Sequence, residues 1–174
     1  VIGNNNEENF IYGNAGNNTY NGGIGHDHIE DRLGGDDTYI YNIGDGHDYI
    51  IDIGGNDTVK FGEGISLENV RFTHRNNDLQ VFVDIGEDGG SINIENYFKS
   101  DIRKIEKFEF VDGTVITDVT NLISGISIDS DYTFEENSQI NEVYLIGSEN
   151  HSVIGNSSDN HIEGNIGNNT FQGK

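Results

Sequence analysis

Cysteine, proline, methionine and tryptophan are all absent from this 174-residue chain. Without cysteine there are no disulfides, no thiolate zinc sites and no cysteine nucleophile; a compartment is not fixed by that absence. Basic residues are scarce. Nine Lys and Arg stand against 31 Asp and Glu, a formal net charge of 9 − 31 = −22. Binding to nucleic acid or to an anionic membrane needs Lys and Arg to neutralise phosphate, so neither partner is expected. No stretch approaches the ~18 apolar residues of a membrane-spanning helix. No basic start followed by an apolar segment is visible, so no cleavable leader is expected in this sequence. Strong helix formers are also few: alanine occurs once, at Ala15, and leucine five times.

The residues that are present point to strands and turns. Ile occurs 24 times, with 8 Tyr and 9 Phe, and Gly and Asn occur 24 times each. An all-β chain with many turns is expected. Low hydrophobicity at this net charge is the composition of a disordered chain unless a cation cancels the carboxylates.

A repeat organises the first third. Residues 22–30 read Gly22-Gly-Ile-Gly-His-Asp-His-Ile-Glu30. Aligned on the sixth position of this block, Asn9, Asn18, Asp27, Asp37, Asp48 and Asp57 follow one another at steps of 9, 9, 10, 11 and 9. Two positions later stands Ile11, Tyr20, Ile29, Tyr39, Ile50 or Val59. Two positions earlier stands Gly16, Gly25, Gly35, Gly46 or Gly55, with Glu7 in the degenerate first repeat. A flexible linker has no reason to hold apolar residues at a fixed offset from an acid. Residues 26–57 carry nine acids and one base, Arg32, a net charge of 1 − 9 = −8. Charges that dense repel unless a cation lies among them.

The pattern resembles the calcium-binding nonapeptide repeat of RTX proteins, Gly-Gly-x-Gly-x-Asp-x-apolar-x. The resemblance implies a parallel β-roll in which each repeat is a tight turn and a short strand, and two repeats complete a coil. Same-edge partners are then alternate repeats. Asp27 pairs with Asp48 and Asp37 with Asp57 as the leading Ca²⁺ sites, since Ca²⁺ takes hard oxygen ligands. Asn9 with Asp27 and Asn18 with Asp37 are weaker sites, because Asn offers a neutral oxygen. Gly22, Gly25, Gly35, Gly46 and Gly55 complete the expected metal sites by shaping turns whose carbonyls converge on the gap between coils, and Asp36, Asp45 and Asp52 are left an outer or purely electrostatic role.

From Gly62 the pattern changes. Alternation predicts strands over 70–74, 79–85, 91–96, 104–111 and 114–117, and one helical turn over 96–101. The pieces Ile65-Ser-Leu-Glu-Asn-Val-Arg-Phe72, Ile92-Asn-Ile-Glu-Asn-Tyr-Phe98 and Ile105-Glu-Lys-Phe-Glu-Phe-Val-Asp-Gly-Thr114 resemble the domain that follows RTX repeats in haemolysin-type proteins. Its expected role is to cap the open end of the roll, with a glycan or protein ligand patch as the alternative. The expected division is therefore a roll over 1–61, a β-rich cap over 62–118, linker or degenerate strands over 119–153, and the start of a second repeat block over 154–174. In that block Asn160 and Asn169 take the sixth position, so hydrogen-bonded turns with weak or absent metal are expected there.

Rival chemistries find little support. His26, His28 and His47 sit at variable positions of the repeat, and no Gly-x-Ser-x-Gly elbow occurs. With no proline, the Asp–Pro self-processing of some RTX relatives is excluded. The resemblance implies a non-enzymatic calcium-binding structural module of a large secreted toxin or adhesin, exported by a one-step bacterial secretion system and folding on Ca²⁺ outside the cell or at its surface. Its expected partners are calcium ions, the rest of a larger polypeptide, and a host cell surface or glycans. The alternatives are an accessory module of a secreted protease, lipase or alginate epimerase, and a glycan-binding module.

Overall fold

The structure is a computed structural model that describes residues 1–4 and 8–174; Glu7 lies outside them. The chain forms two compact units. One contains Val1–Arg71 and Asn77–Val119, the other Phe72–Asn76 and Thr120–Lys174.

In the first unit each repeat contributes one short strand: β1 (Phe10–Tyr12), β2 (Thr19–Asn21), β3 (His28–Asp31), β4 (Thr38–Tyr41), β5 (His47–Asp52) and β6 (Thr58–Phe61). Odd and even strands lie in different sheets. β1, β3 and β5 pair in parallel with Ile11, Ile29 and Ile50 in register. β2, β4 and β6 do the same with Tyr20, Tyr39 and Val59. Two repeats therefore make one coil, and the apolar eighth positions stack into a buried row in each sheet. Side chains of a strand alternate between faces, so a strand this short buries its own inward row only by stacking on its neighbours.

The roll ends where parallel pairing gives way to hairpins. The next strands are β7 (Val70–Arg75), β8 (Asp78–Val83), β9 (Gly90–Ile94), β10 (Lys107–Glu109) and β11 (Val115–Ile116). β9 joins β5 in parallel and turns its other edge to β8 in antiparallel fashion. β10 likewise joins β6 in parallel and β11 antiparallel. Phe110 stacks on Phe61 with ring centroids 4.7 Å apart, and Ile92, Ile94 and Phe108 are buried. The segment 96–101 is a turn that runs into a 3-10 helix over Asp101–Arg103.

β7 crosses from the first unit to the second. There its Phe72–Arg75 portion pairs in parallel with β12 (Ile123–Ile128) through a bulge between Ile123 and Gly125. The strands that follow are β13 (Tyr132–Thr133), β14 (Glu142–Leu145), β15 (Ser152–Ile154), β16 (His161–Glu163) and β17 (Thr170–Gln172). β12, β14 and β16 form one parallel ladder, and β13, β15 and β17 another. Phe134, Val143, Leu145 and Val153 are its buried centre. The fold is all-β and parallel-rolled; the described residues contain only 3-10 helical turns besides strands, and no helix is long and apolar enough to cross a membrane.

Candidate metal centre

The sixth-position residues line the two edges of the first unit. On one edge the Asn9 N–H donates to Asp27 Oδ1 at 2.8 Å and the Asp27 N–H to Asp48 Oδ1 at 3.1 Å. On the other, the Asn18 N–H donates to Asp37 Oδ1 at 2.8 Å and the Asp37 N–H to Asp57 Oδ1 at 2.7 Å. Alternate repeats are thus brought together, each carboxylate accepting from the coil before it. Glu106, just before β10, continues the second column: the Asp57 N–H donates to its Oε2 at 2.6 Å. Glu106 is 49 residues away in sequence, outside the repeat, and nothing local marks it.

The turns need glycine where coils touch. Gly46 has φ 98°, and a Cβ there would overlap the carbonyl oxygen of Gly25 in the coil below. A Cβ on Gly22 would overlap the Asp27 carboxylate. Gly25, Gly35 and Gly55 occupy the equivalent turn positions, and a Cβ on Gly35 would lie 2.7 Å from the Gly16 oxygen.

The ladder uses one oxygen of each aspartate. Asp27 Oδ2, Asp37 Oδ2 and Asp57 Oδ2 are buried with no hydrogen-bond partner, and so is Asp52 Oδ1. Among the described residues, Asp37, Asp52 and Asp57 form the one trio of His, Cys, Asp or Glu whose ligand atoms all lie within 4.8 Å of one another. Asp27 and Asp48 pair without a third such group. At that spacing and an effective dielectric of ~20, each pair of ionised carboxylates repels by about 3–4 kcal/mol. Three buried charges of one sign therefore need either protons or a cation.

Asp52 is the member that repeat reasoning leaves outside. It reaches the trio from the end of β5, where the Tyr39 hydroxyl donates to its Oδ2. Asp31 is its register partner on β3, and Asp31 Oδ2 accepts from the Tyr20 hydroxyl at 2.6 Å. The two tyrosine rings stack at 5.1 Å. The sequence does carry a signal: Asp31 and Asp52 each follow a sixth-position aspartate by four residues, the parity of the inward apolar position. By contrast Asp36 is exposed and accepts from the Asn56 N–H at 3.0 Å, and Asp45 is held by the Asn42 N–H at 2.8 Å.

Burial sets the electrostatics. Desolvation pushes the Asp52 carboxyl up to about 8, with the charges of Asp57 and Asp37 adding to it and the Tyr39 hydrogen bond opposing. Asp57 rises to about 6 by burial, with Glu106 and Asp37 adding. Asp48 rises to about 8 by burial, with Asp27 and Asp45 adding. The Tyr39 and Tyr20 hydroxyls are held in the neutral form, first by burial and then by the aspartates they face. Without a cation this interior must keep protons on groups that are ordinarily ionised at neutral pH.

The donor set is all oxygen and anionic, the chemistry of a hard cation and not of a transition metal. The histidines take no part. His28 stacks on Tyr49 at 5.0 Å, and the His26 and His47 rings lie 5.2 Å apart.

Residues 81–120, which span the second half of β8 and all of β9 to β11, match the family model of the haemolysin-type calcium binding protein related domain. This match sits on the hairpin strands that follow the parallel roll of Gly- and Asp-bearing turns. Residues 81–120 thus carry the pattern of a haemolysin-type calcium-binding related domain, and the parallel roll before them resembles RTX repeats. No curated protein matches the sequence. Among solved structures, this chain is similar to the extracellular lipase LipA from Serratia marcescens, with a TM-score of 0.55 and 18% identity. The similarity covers 95% of this chain and 27% of the lipase chain, and at that identity it speaks for the fold alone.

Proposed function

We propose that this chain is an RTX-type calcium-binding structural module of a larger secreted protein, with a roll over 1–61 and a cap over 62–118. The observation that carries the proposal is the set of partnerless buried oxygens on Asp37, Asp52 and Asp57. Asp37 and Asp57 hold Ca²⁺ between successive coils of one edge, and Asp52 closes the site from the interior. Asp27 and Asp48 are the second pair, with fewer anionic groups around it. Asn9 and Asn18 end each column with a neutral oxygen and bind most weakly. Extracellular calcium modules have dissociation constants of ~10⁻⁴–10⁻³ M, so millimolar Ca²⁺ outside a cell loads them and cytosolic Ca²⁺ does not. Each site filled in the folded state alone stabilises by about 1.4 kcal/mol at tenfold excess. Several coupled sites then switch the roll of the first unit from loose to folded on export. The carboxylates are aligned by the repeat, and the module itself has no catalytic task.

The parent protein is a toxin or adhesin in the leading reading, because a cap followed by a restarted repeat suits a long multi-block chain. The similarity to an extracellular lipase supports a second one, an accessory module of a secreted enzyme. Far-ultraviolet circular dichroism during a Ca²⁺ titration from excess chelator tests the proposal. Strand signal is expected to appear with added Ca²⁺, and D52N is expected to need at least about tenfold more of it. Full strand content in chelator ends the proposal.

A further inference from the structure

The last coil of the chain repeats the first. Val153-Ile-Gly-Asn156 matches Val1-Ile-Gly-Asn4. Asn160-His-Ile-Glu-Gly-Asn-Ile-Gly-Asn-Asn-Thr-Phe-Gln-Gly173 matches Asn9-Phe-Ile-Tyr-Gly-Asn-Ala-Gly-Asn-Asn-Thr-Tyr-Asn-Gly22, with one residue fewer between the two blocks. The likeness extends to individual bonds. Ile2 pairs with Asn21 in parallel, and Ile154 with Gln172. The Gly3 N–H donates to the Asn21 oxygen at 2.7 Å, and the Gly155 N–H to the Gln172 oxygen at 2.7 Å. The Asn4 N–H reaches Asn9 Oδ1 at 2.9 Å, and the Asn156 N–H reaches Asn160 Oδ1 at 2.9 Å. The Gly16 N–H reaches Asn14 Oδ1 at 3.0 Å, and the Gly167 N–H reaches Asn165 Oδ1 at 2.9 Å.

The two coils differ in what covers them. In the first unit β3 lies on β1 and β4 on β2. Tyr20 is 0% exposed beneath Tyr39, whereas its counterpart Phe171 is 49% exposed. Ile11 is buried and its counterpart Ile162 half-buried. The N–H groups of Asn9 and Asn18 donate to Asp27 and Asp37 of the next coil, both at 2.8 Å. Among the described residues, nothing plays Tyr39, Asp27 or Asp37 to Phe171, Asn160 and Asn169. The outer edges of β16 and β17 are thus parallel strand edges with an apolar ring between them, a template for one further coil.

We propose that β16 and β17 are the seat for a second copy of this module, whose β3 and β4 stack on them, so that copies run head to tail in one chain with a period of 173 − 22 = 151 residues. The coil at 153–173 is then both the end of one copy and the first coil of the next. The Asn160 and Asn169 N–H groups donate to the Asp27 and Asp37 carboxylates of the following copy, and Phe171 stacks on its Tyr39. The contact is heterologous: the last coil of one copy meets the first strands of the next.

A two-module chain tests this: residues 1–173 followed by residues 23–174 of a second copy, compared with the 174-residue chain by hydrogen exchange in millimolar Ca²⁺. Terminal coils open at little cost and interior ones only with the whole stack, so the junction amides of 161–172 are expected to exchange at least about tenfold more slowly in the two-module chain. Phe171→Ser is expected to lower the junction's protection there and to leave the melting of the single chain within about 1 °C. In a third chain Lys174 is joined to Val1 of a second copy through a flexible Gly/Ser linker, and no slowing is expected. Unchanged exchange at 161–172 overturns the proposal, as does equal slowing in the linker chain. A two-module chain that fails to fold where the single chain folds also overturns it, because the junction is then not a native coil.

Discussion

Two sets of turns in this chain share a position and a backbone but not a chemistry. In the first unit the sixth position of the later repeats is aspartate; in the second it is Asn160 and Asn169. The asparagines close their own turns. Asn160 Oδ1 accepts from the Asn156 N–H at 2.9 Å while its Nδ2 donates to Asn156 Oδ1 at 3.0 Å. Asn169 does the same with Asn165, at 3.1 and 2.9 Å. An amide both accepts and donates, so the pair is neutral and satisfied. An ionised carboxylate only accepts, and once one oxygen of Asp37 or Asp57 has taken its backbone N–H, the other faces a like charge. Exchanging one atom of the side chain turns a self-sufficient turn into one that waits for a cation.

The largest effect expected from this contrast is regional. In excess chelator, hydrogen exchange is expected to reach unprotected rates in β3 to β6, while β14 to β17 change by less than about tenfold. Equal loss in both regions breaks the comparison. Next comes Gly46→Ala, which forces a side chain into a left-handed turn against the Gly25 oxygen. A cost of about 3 kcal/mol is expected in a Ca²⁺-loaded melt. Gly44→Ala, at φ 82° with nothing within 4 Å of its Cβ, is the control that meets backbone strain alone, at about 1 kcal/mol.

Asp52→Asn separates charge from packing. In calorimetry its Ca²⁺ affinity is expected to drop at least about tenfold, or ~1.4 kcal/mol. In chelator the same variant is expected to melt higher than the parent chain, since a neutral amide replaces a carboxyl that must hold a proton. The pH dependence follows the same logic. Unfolded aspartate ionises near ~3.9, whereas the metal-free fold keeps protons on Asp57 up to about 6 and on Asp48 and Asp52 up to about 8. These raised values favour the metal-free fold fully below the unfolded value, and the benefit is lost as pH rises towards 8. Melting in chelator is therefore expected to fall from pH 4 to pH 8, and apparent Ca²⁺ affinity to rise over the same window because the metal displaces protons. The smallest effect is Asn169→Asp, which removes the donor to Asn165 Oδ1 and is expected to cost about 1 kcal/mol in a thermal melt without adding a site.

Much of this is legible in the order of residues, and the remainder is hidden for identifiable reasons. The step between sixth positions and the apolar residue two places on specify both columns of the roll, because a coil of two repeats admits one register. Asp52 escapes because its place in the repeat is a variable one; only its parity along β5, where it faces inward with Ile50, marks it. Glu106 escapes because it meets Asp57 through tertiary folding alone. Over 119–153, expected as linker or degenerate strands, β12 carries a bulge after Ile123 and β13 has two residues, so no period survives long enough to be seen. The charge of −22 also resolves into parts. The −8 of residues 26–57 is concentrated in the turns and the interior, while the −6 of residues 62–118 lies mostly on exposed or half-buried side chains.

The most direct test is a crystal grown in millimolar Ca²⁺, with terbium exchanged in for its anomalous signal. A peak is expected among Asp37, Asp52 and Asp57, with oxygens at ~2.3–2.6 Å from the calcium position. Those three carboxylates free of metal, or metal found instead at the Asn160 and Asn169 turns, would contradict the account.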